Sequence, residues 1–472
     1  MSTRSLFSAL KSTVPVMAVL CSLCGCVVGP KYHAPAVPTP PSFQEPHADV
    51  TTAVQSPSNW WEIFQDATLN DLEDKATGSN LDIRAAVARV DQADAIRRSV
   101  SSARYPSVDA QPSYGRTRIA KDRPTNGSTN GLAATYNDLR LPLTFGYEID
   151  AWGRIRNQVQ SATASQQASA ADAQFVRLTV AASVATDYFS LREADSEAAI
   201  VTQIQADLEK GFKVTSDQFR RGIISELAVK QSQAILDQAR AQVEAIHLRR
   251  SQSEHAIAVL TGVPAEGFHV AVNTEPPKLP TVPPGLPASM LTRRPDVLAT
   301  ERRAAAASAQ IVSAKAEFYP RFALSGSAGF ESVSPSSVLD WQNTIASLIG
   351  SATAPIFTGG RLRANVDQTQ AVYRESVANY EKSVLTAYSD VEDQLSAIHY
   401  LANQSEAESS VVASARRAEQ IANNRYTAGL VNYLDVVFAE QTLLQNEQAL
   451  VQLTGSRAIA TVALVRALGG GW

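Results

Sequence analysis

Cysteine is nearly absent from this chain, and its few copies crowd one end. Cys21, Cys24 and Cys26 are the only three in 472 residues. Everything after residue 26 therefore lacks a thiol to form a disulfide, bind zinc or attack a substrate. Histidine is sparse as well, at six copies. His247 and His255 stand eight apart and miss the four-residue spacing of a helical zinc site. Ser325-Gly-Ser-Ala-Gly329 lacks the first glycine of a nucleophile elbow. Gly359-Gly360 and Gly469-Gly-Gly471 lack the Lys-Ser/Thr of a phosphate loop and read instead as helix boundaries. No catalytic residue, metal site or cofactor is expected, and an exported enzyme is the least favoured class.

Apolar runs are short too. Past residue 25 none approaches the roughly 18 residues that a transmembrane helix requires. The net charge is −4, and −6 without Arg4 and Lys11, because residues 1–25 hold no acid. That mild acidity argues against a nucleic-acid partner. The composition is rich in Ala, Gln, Ser and Val and low in aromatics, which favours long helices.

What is present begins with an export signal. Arg4 and Lys11 precede an apolar core from Val14 to Leu23 that is too short to span a bilayer. Leu23-Cys24-Gly25-Cys26 resembles a bacterial lipobox, so cleavage after Gly25 would leave Cys26 to carry S-diacylglycerol and an N-acyl chain such as palmitate. The alternative is an ordinary signal peptide with an incidental cysteine. Val27 stands where an aspartate would favour inner-membrane retention, so delivery to the outer membrane is expected. Residues 26–58 are Pro-rich (Pro30, Pro35, Pro38, Pro40, Pro41, Pro46) and read as an extended tether.

The remainder is written twice. Tyr105-Pro106 returns as Tyr319-Pro320, and Asp150-Ala-Trp-Gly-Arg-Ile-Arg156 as Phe357-Thr-Gly-Gly-Arg-Leu-Arg363. Phe219-Arg-Arg-Gly222 returns as Tyr426-Thr-Ala-Gly429, and Val259-Leu-Thr-Gly262 as Ala467-Leu-Gly-Gly470. Such a period is too long for a solenoid unit and implies two domain-sized repeats, 59–265 and 287–472, joined by a Pro-rich linker at 266–286.

Each repeat alternates helix with strand. Val366, Tyr373, Tyr380 and Ala387 form one row spaced by seven, and Val377, Val384, Val391 and Ile398 a second. These interleaved rows predict a coiled-coil helix from Leu362 to near Tyr426, about 100 Å long. Its counterpart runs from Arg154 to about Lys213, with Phe175, Leu178, Ala182 and Tyr188 on one face. Shorter helices are expected over 68–104, 224–261, 292–317 and 431–467. Asn137–Asp150 alternates Leu139, Leu141, Leu143, Phe145, Tyr147 and Ile149 with Asp138, Arg140, Pro142, Thr144, Gly146 and Glu148. That is the pattern of a transmembrane barrel strand. Arg321–Glu331 alternates likewise, and Ser107–Arg118 and Ile345–Phe357 match more weakly. Ile119–Ala134 and Val333–Thr344 read as polar hairpin loops. Four strands cannot close a barrel, and open edges are not tolerated in lipid. Three copies would give twelve strands around a water-filled lumen.

These residues resemble a known family, the TolC-type outer-membrane efflux channels, in the lipoprotein branch typified by OprM and NodT. The landmarks are Cys26-Val-Val-Gly-Pro-Lys-Tyr32, and Trp60-Trp61 with Phe64, Asp66 and Leu69. They continue with Tyr147-Glu-Ile-Asp-Ala-Trp-Gly-Arg154, Arg294-Pro-Asp296, Phe318-Tyr-Pro320, Pro355-Ile-Phe-Thr-Gly-Gly-Arg-Leu-Arg363 and Ala467-Leu-Gly-Gly-Gly-Trp472. The resemblance implies an α+β membrane protein: a homotrimer whose 12-stranded transmembrane β-barrel continues as a long α-helical coiled-coil barrel across the periplasm. It implies docking to a periplasmic adaptor and a proton-driven inner-membrane pump, with passive conduction of drugs or other small molecules. It also implies a gate where the paired helices turn, at Gly211–Glu226 and Arg425–Asp435. Tyr426 falls on the family's gate tyrosine, Leu434 on a constricting leucine and Asp435 on a constricting aspartate. Phe438 stands where the family has a second acid and reads either as an apolar plug or as interface packing, with packing preferred. Ala228 replaces the acid that usually pairs with the tyrosine, leaving Glu226 or Gln231 as substitutes. Asp435 could equally be a solvated acid of a helix N-terminus. The competing reading is a lipidated periplasmic coiled-coil adaptor of an efflux or secretion system. It would show one helical hairpin flanked by lipoyl-like β segments; the duplication and the strand at 137–150 count against it.

Overall fold

The computed structural model describes residues 32–44, 59–119, 135–282 and 293–470. Its elements follow the breakers in the sequence. Asp66 caps α1 (Ala67–Ser79), its Oδ1 accepting the N–H groups of Thr68 and Leu69 at 3.0 and 3.2 Å. Asn80 then ends α1 and caps α2 (Leu81–Ser102), accepting from the N–H groups of Asp82 and Ile83 and donating to the Leu260 carbonyl at 2.8 Å. The single helix expected over 68–104 is thus two, because the asparagine side chain competes for backbone N–H groups. The strand expected over Ser107–Arg118 is also two, β1 (Ser107–Ala110) and β2 (Ser113–Arg118). Pro112 between them has no N–H to give to a ladder.

β3 (Thr135–Ile149) leads to α3 (Arg154–Arg220), which Asp150 caps by accepting from the N–H groups of Ile155 and Arg156. This helix runs seven residues past the expected end at Lys213. There follow α4 (Glu226–Leu260), α5 (Pro295–Ala316), β4 (Arg321–Ser332), β5 (Thr344–Thr353), α6 (Arg361–Thr427) and α7 (Tyr433–Ala467). Both α3 and α6 have 67 residues, and both α4 and α7 have 35. All four close in a Schellman turn, with a glycine in the left-handed region. By that geometry the counterpart of Gly262 is Gly469, one residue before the Gly470 that the motif spacing suggested.

The chain divides into two compact units. The first holds Asp91–Ala168, Glu301–Asn379 and the described residues up to Pro35. Its sheet has the order β1-β3-β4-β5, with β2 also paired to β3 and every pairing antiparallel. Trp152 fastens the end of β3 to the start of β4: its Nε1 donates to the Pro320 carbonyl at 2.8 Å, and its ring lies 5.0 Å from that of Tyr319. Tyr32 packs on Ala164, Ala305 and Ala306 and donates to Glu301 Oε1 at 2.8 Å. The described part of the stretch expected to be an extended tether is thus docked at Tyr32.

The second unit comprises Ala36–Val90, Ser169–Thr300 and Tyr380–Trp472. Its core gathers Phe43, Trp60, Trp61, Phe64, Leu69, Tyr188 and Phe189 with buried faces of α6 and α7. Asp66, besides capping α1, accepts from Tyr188 Oη at 2.8 Å and Arg192 Nη1 at 2.7 Å. Arg294 is almost wholly buried; it pairs with Asp296 and Asp390 and donates to the last carbonyl of α7, that of Ala467, at 3.0 Å. Among the described residues one helix, α7, is long and apolar enough to cross a membrane by length and composition. Its Ala458, Val462, Leu464 and Val465 are buried in this core, the behaviour of a core helix.

Several buried polar groups lack a partner among the described residues, Glu73 most completely. Glu73 is 0% exposed, and neither carboxylate oxygen has a hydrogen-bond partner among the described residues. Burial, reinforced by the nearby Asp74, pushes its pKa up to about 9. The folded state then keeps a proton that the unfolded chain releases near pH 4.5, so this contribution is full at low pH and is lost as pH rises toward 9. The slope is at most about 1.4 kcal/mol per pH unit. Melting temperatures from pH 5 to 9 should fall less steeply for Glu73→Gln than for the wild type. Parallel slopes would show that Glu73 ionises freely in the folded protein.

Candidate functional site

Two regions carry the residues singled out in the sequence. In the sheet, register places like with like. Asp109, Thr144, Ser327 and Ser347 form one row across four strands, and Ser327 and Ser347 share a hydrogen bond of 2.9 Å. Arg140 faces Glu331 directly and pairs with it at 3.0 Å, as well as with Asp138 on its own strand. Val108, Phe145, Gly326 and Leu348 form an apolar row on the other face. A side chain at Gly326 would meet Phe145 and Leu348, so the glycine leaves room for both. At Gly329 a Cβ would come within 2.6 Å of Pro142 Cα, which is why Pro142 is accommodated mid-strand. Ile345 and Ile349 fall on the polar face, so β5 follows the pattern less well than β3 and β4. Leu143 is 56% and Leu348 72% exposed in the single chain, so their side of the sheet is bare.

The second region is the pair of turns joining α3 to α4 and α6 to α7. Helix persists further than expected, and Gly211 lies inside α3 rather than in the turn. Tyr426, in the last turn of α6, is half-buried and accepts a hydrogen bond from Gln218 Nε2 at 3.3 Å. Gln218 thus takes the place foreseen for Glu226 or Gln231. A signal for it was present: Phe219, the counterpart of Tyr426 in the repeat, is its neighbour. The Tyr426 ring also meets that of Tyr433 edge-on, with centroids 5.0 Å apart and planes at 74°. Tyr433 was missed because it reads simply as a helix-start residue.

The other three candidates occupy the start of α7. Asn432 caps this helix, its Oδ1 accepting from the Asp435 N–H at 3.2 Å. Asp435 is exposed in the first turn, where the helix dipole favours a carboxylate. Leu434 is half-buried. Phe438, expected to pack, is 47% exposed, one turn beyond Asp435 on the same face. The chain's own helices leave that face open, so its packing is not satisfied within one copy. Cys26 and most of the loop 119–134 lie outside the described residues. Among the described residues no group of three or more His, Cys, Asp or Glu could hold a metal ion.

Comparison with known proteins agrees with this architecture. A family model described as outer membrane efflux protein matches residues 72–263 and again 286–470. Outer membrane protein OprJ of Pseudomonas aeruginosa is 31% identical, over 97% of this chain and 96% of its own length. The probable outer membrane lipoprotein SilC of Salmonella typhimurium is 29% identical, over 95% of this chain and 96% of its own. The crystal structure of the CmeC outer membrane channel of Campylobacter jejuni aligns with a TM-score of 0.89 and 25% identity, covering 95% of each chain. The chain belongs to the outer membrane efflux protein family and is an outer-membrane efflux channel.

Proposed function

We propose that this channel is the exit duct of a tripartite system, conducting small molecules passively from a periplasmic adaptor and a proton-driven inner-membrane pump to the exterior. The observation that carries this reading is the sheet. Among the described residues it is four strands wide, largely apolar on one face and polar on the other, and open at both edges, in a chain that also contains two 67-residue helices. Three copies would close twelve strands with Arg140, Thr144 and Glu148 toward water and Leu141, Leu143 and Phe145 toward lipid. The helices would continue the duct as a coiled-coil barrel. Two tandem repeats, 59–265 and 287–472 about a linker at 266–286, are supported by the two matches of one family model and by helix pairs of equal length. Lipidation at Cys26 is supported by the lipobox and by the lipoprotein name of SilC.

The gate is assigned to Tyr426, Leu434, Asp435 and Phe438. Three copies of Asp435 about a three-fold axis would form an acidic ring that favours cations. Phe438, exposed on the same face, would form an apolar ring beside it.

The purified protein in a planar bilayer should conduct ions in discrete steps; a protein that inserts yet never conducts would refute the duct. Asp435→Ala should weaken cation preference in the same recordings, and unchanged selectivity would remove this residue from the constriction. Leu143→Asp should cost about 2 kcal/mol by setting a charge against lipid, while Thr144→Asp is tolerated. Equal loss of assembled protein in both would reverse the assignment of faces. Mass spectrometry of the mature N-terminus should find diacylglycerol and an acyl chain on Cys26, and an unmodified peptide starting elsewhere would exclude the anchor.

A further inference from the structure

Glycine inside a long helix weakens it relative to alanine, so a mid-helix glycine with a neighbour pressed against it marks a required close approach. Gly211 of α3 is such a case. A Cβ there would lie 2.6 Å from Tyr433 Oη and 2.8 Å from ring carbon Cζ, a distance real side chains do not adopt. The Tyr433 ring therefore occupies a notch beside Gly211 that a side chain at residue 211 would contest. Tyr433 is half-buried and packs, like Phe212 and Ile235, against the cluster of buried residues that includes Leu208 and Val437. A reciprocal fit occurs further along the same two helices. A Cβ at Gly455 of α7 would come within 2.9 Å of Glu193 Cδ of α3. A glycine thus lies at a close approach of α3 and α7 at two points, one of them beside the turns.

This tyrosine also connects to the turn. Tyr433 meets Tyr426 edge-on, and Tyr426 accepts the hydrogen bond of Gln218. Gly211 and Gln218 are seven residues apart, two helical turns, and so share one face of α3. Tyr426 and Tyr433 straddle the α6–α7 turn. We infer that Gly211 and Tyr433 form a latch: the ring seated in the notch holds Tyr426 in its hydrogen bond with Gln218 and so keeps the α6–α7 turn against α3. Gly211, Gln218 and Tyr433 are positioning residues, acting on the gate through Tyr426. The latch rests on the gate reading above. Its strength comes from shape and ring contact, with a neutral amide in place of the acid lost at Ala228.

Single-channel recordings of the full-length protein test it. Gly211→Ala should expel the ring and raise open probability about two- to tenfold, the range an aromatic edge contact supplies. Tyr433→Ala should do the same, and the double variant should open no further than Tyr433→Ala alone, because both remove one interaction. Tyr433→Phe keeps the ring and should record like the wild type. If Gly211→Ala does not fold, Tyr433→Ala and Tyr433→Phe carry the comparison. Unchanged open probability in Tyr433→Ala, or additive effects in the double variant, would overturn the latch. The combination Tyr426→Phe with Leu434→Ala separates the two levels. If it opens the channel while Gly211→Ala and Tyr433→Ala do not, the gate stands and the latch falls. If it also does nothing, the gate assignment fails and takes the latch with it.

Discussion

Backbone hydrogen bonding at the two edges of the sheet is the constraint on which the account depends. Among the described residues β5 pairs only with β4, and β1 and β2 pair only with β3, so each edge presents N–H and C=O groups with no strand beside them there. In water such edges are a hazard; in hydrocarbon each unsatisfied group costs several kcal/mol. A chain that works in the outer membrane has to pair those edges with something, and further copies of itself offer the same register of polar and apolar rows. The same constraint accounts for the bare apolar face. Leu143 and Leu348 would be a solubility fault in a free monomer, and in the proposed barrel they would be the surface that meets lipid.

The sequence landmarks divide by the work they do. Asp66, Asp150 and Arg294 hold the fold together. Asp66 caps α1 and receives Tyr188 and Arg192 with its other oxygen. Asp150 caps α3 where the strand becomes helix. Arg294 ties the start of α5 to Asp390 of α6 and to the end of α7. Trp152 and Tyr319-Pro320, landmarks of opposite halves, meet one another directly. These motifs sit at junctions between elements, where their side chains fix the geometry.

Much of this was legible from periodicity alone. The heptad rows placed α6 within one residue at each end, and strict alternation placed β3 within two. Errors arose where a side chain overrides the period. Asn80 split one helix by capping a second, and Pro112 divided a strand. Proline content suggested an extended tether, but composition carries no information about which aromatic docks along it, and Tyr32 and Phe43 do. The candidate gate was the least legible region. The contact of Tyr426 with Gln218 joins residues 208 apart, and the fit of Tyr433 depends on a missing Cβ at Gly211. Neither leaves a pattern in one-dimensional spacing; only the coincidence of a mid-helix glycine with a distant tyrosine hints at it.

The most direct test of the account is the mass of the folded, detergent-solubilised particle, measured by native mass spectrometry after gentle release from micelles. Three chains per particle are predicted, because twelve strands close the edges that four leave open. A stable particle of a single chain, still folded and membrane-extracted, would contradict the central claim, since its sheet edges would then be satisfied without partners.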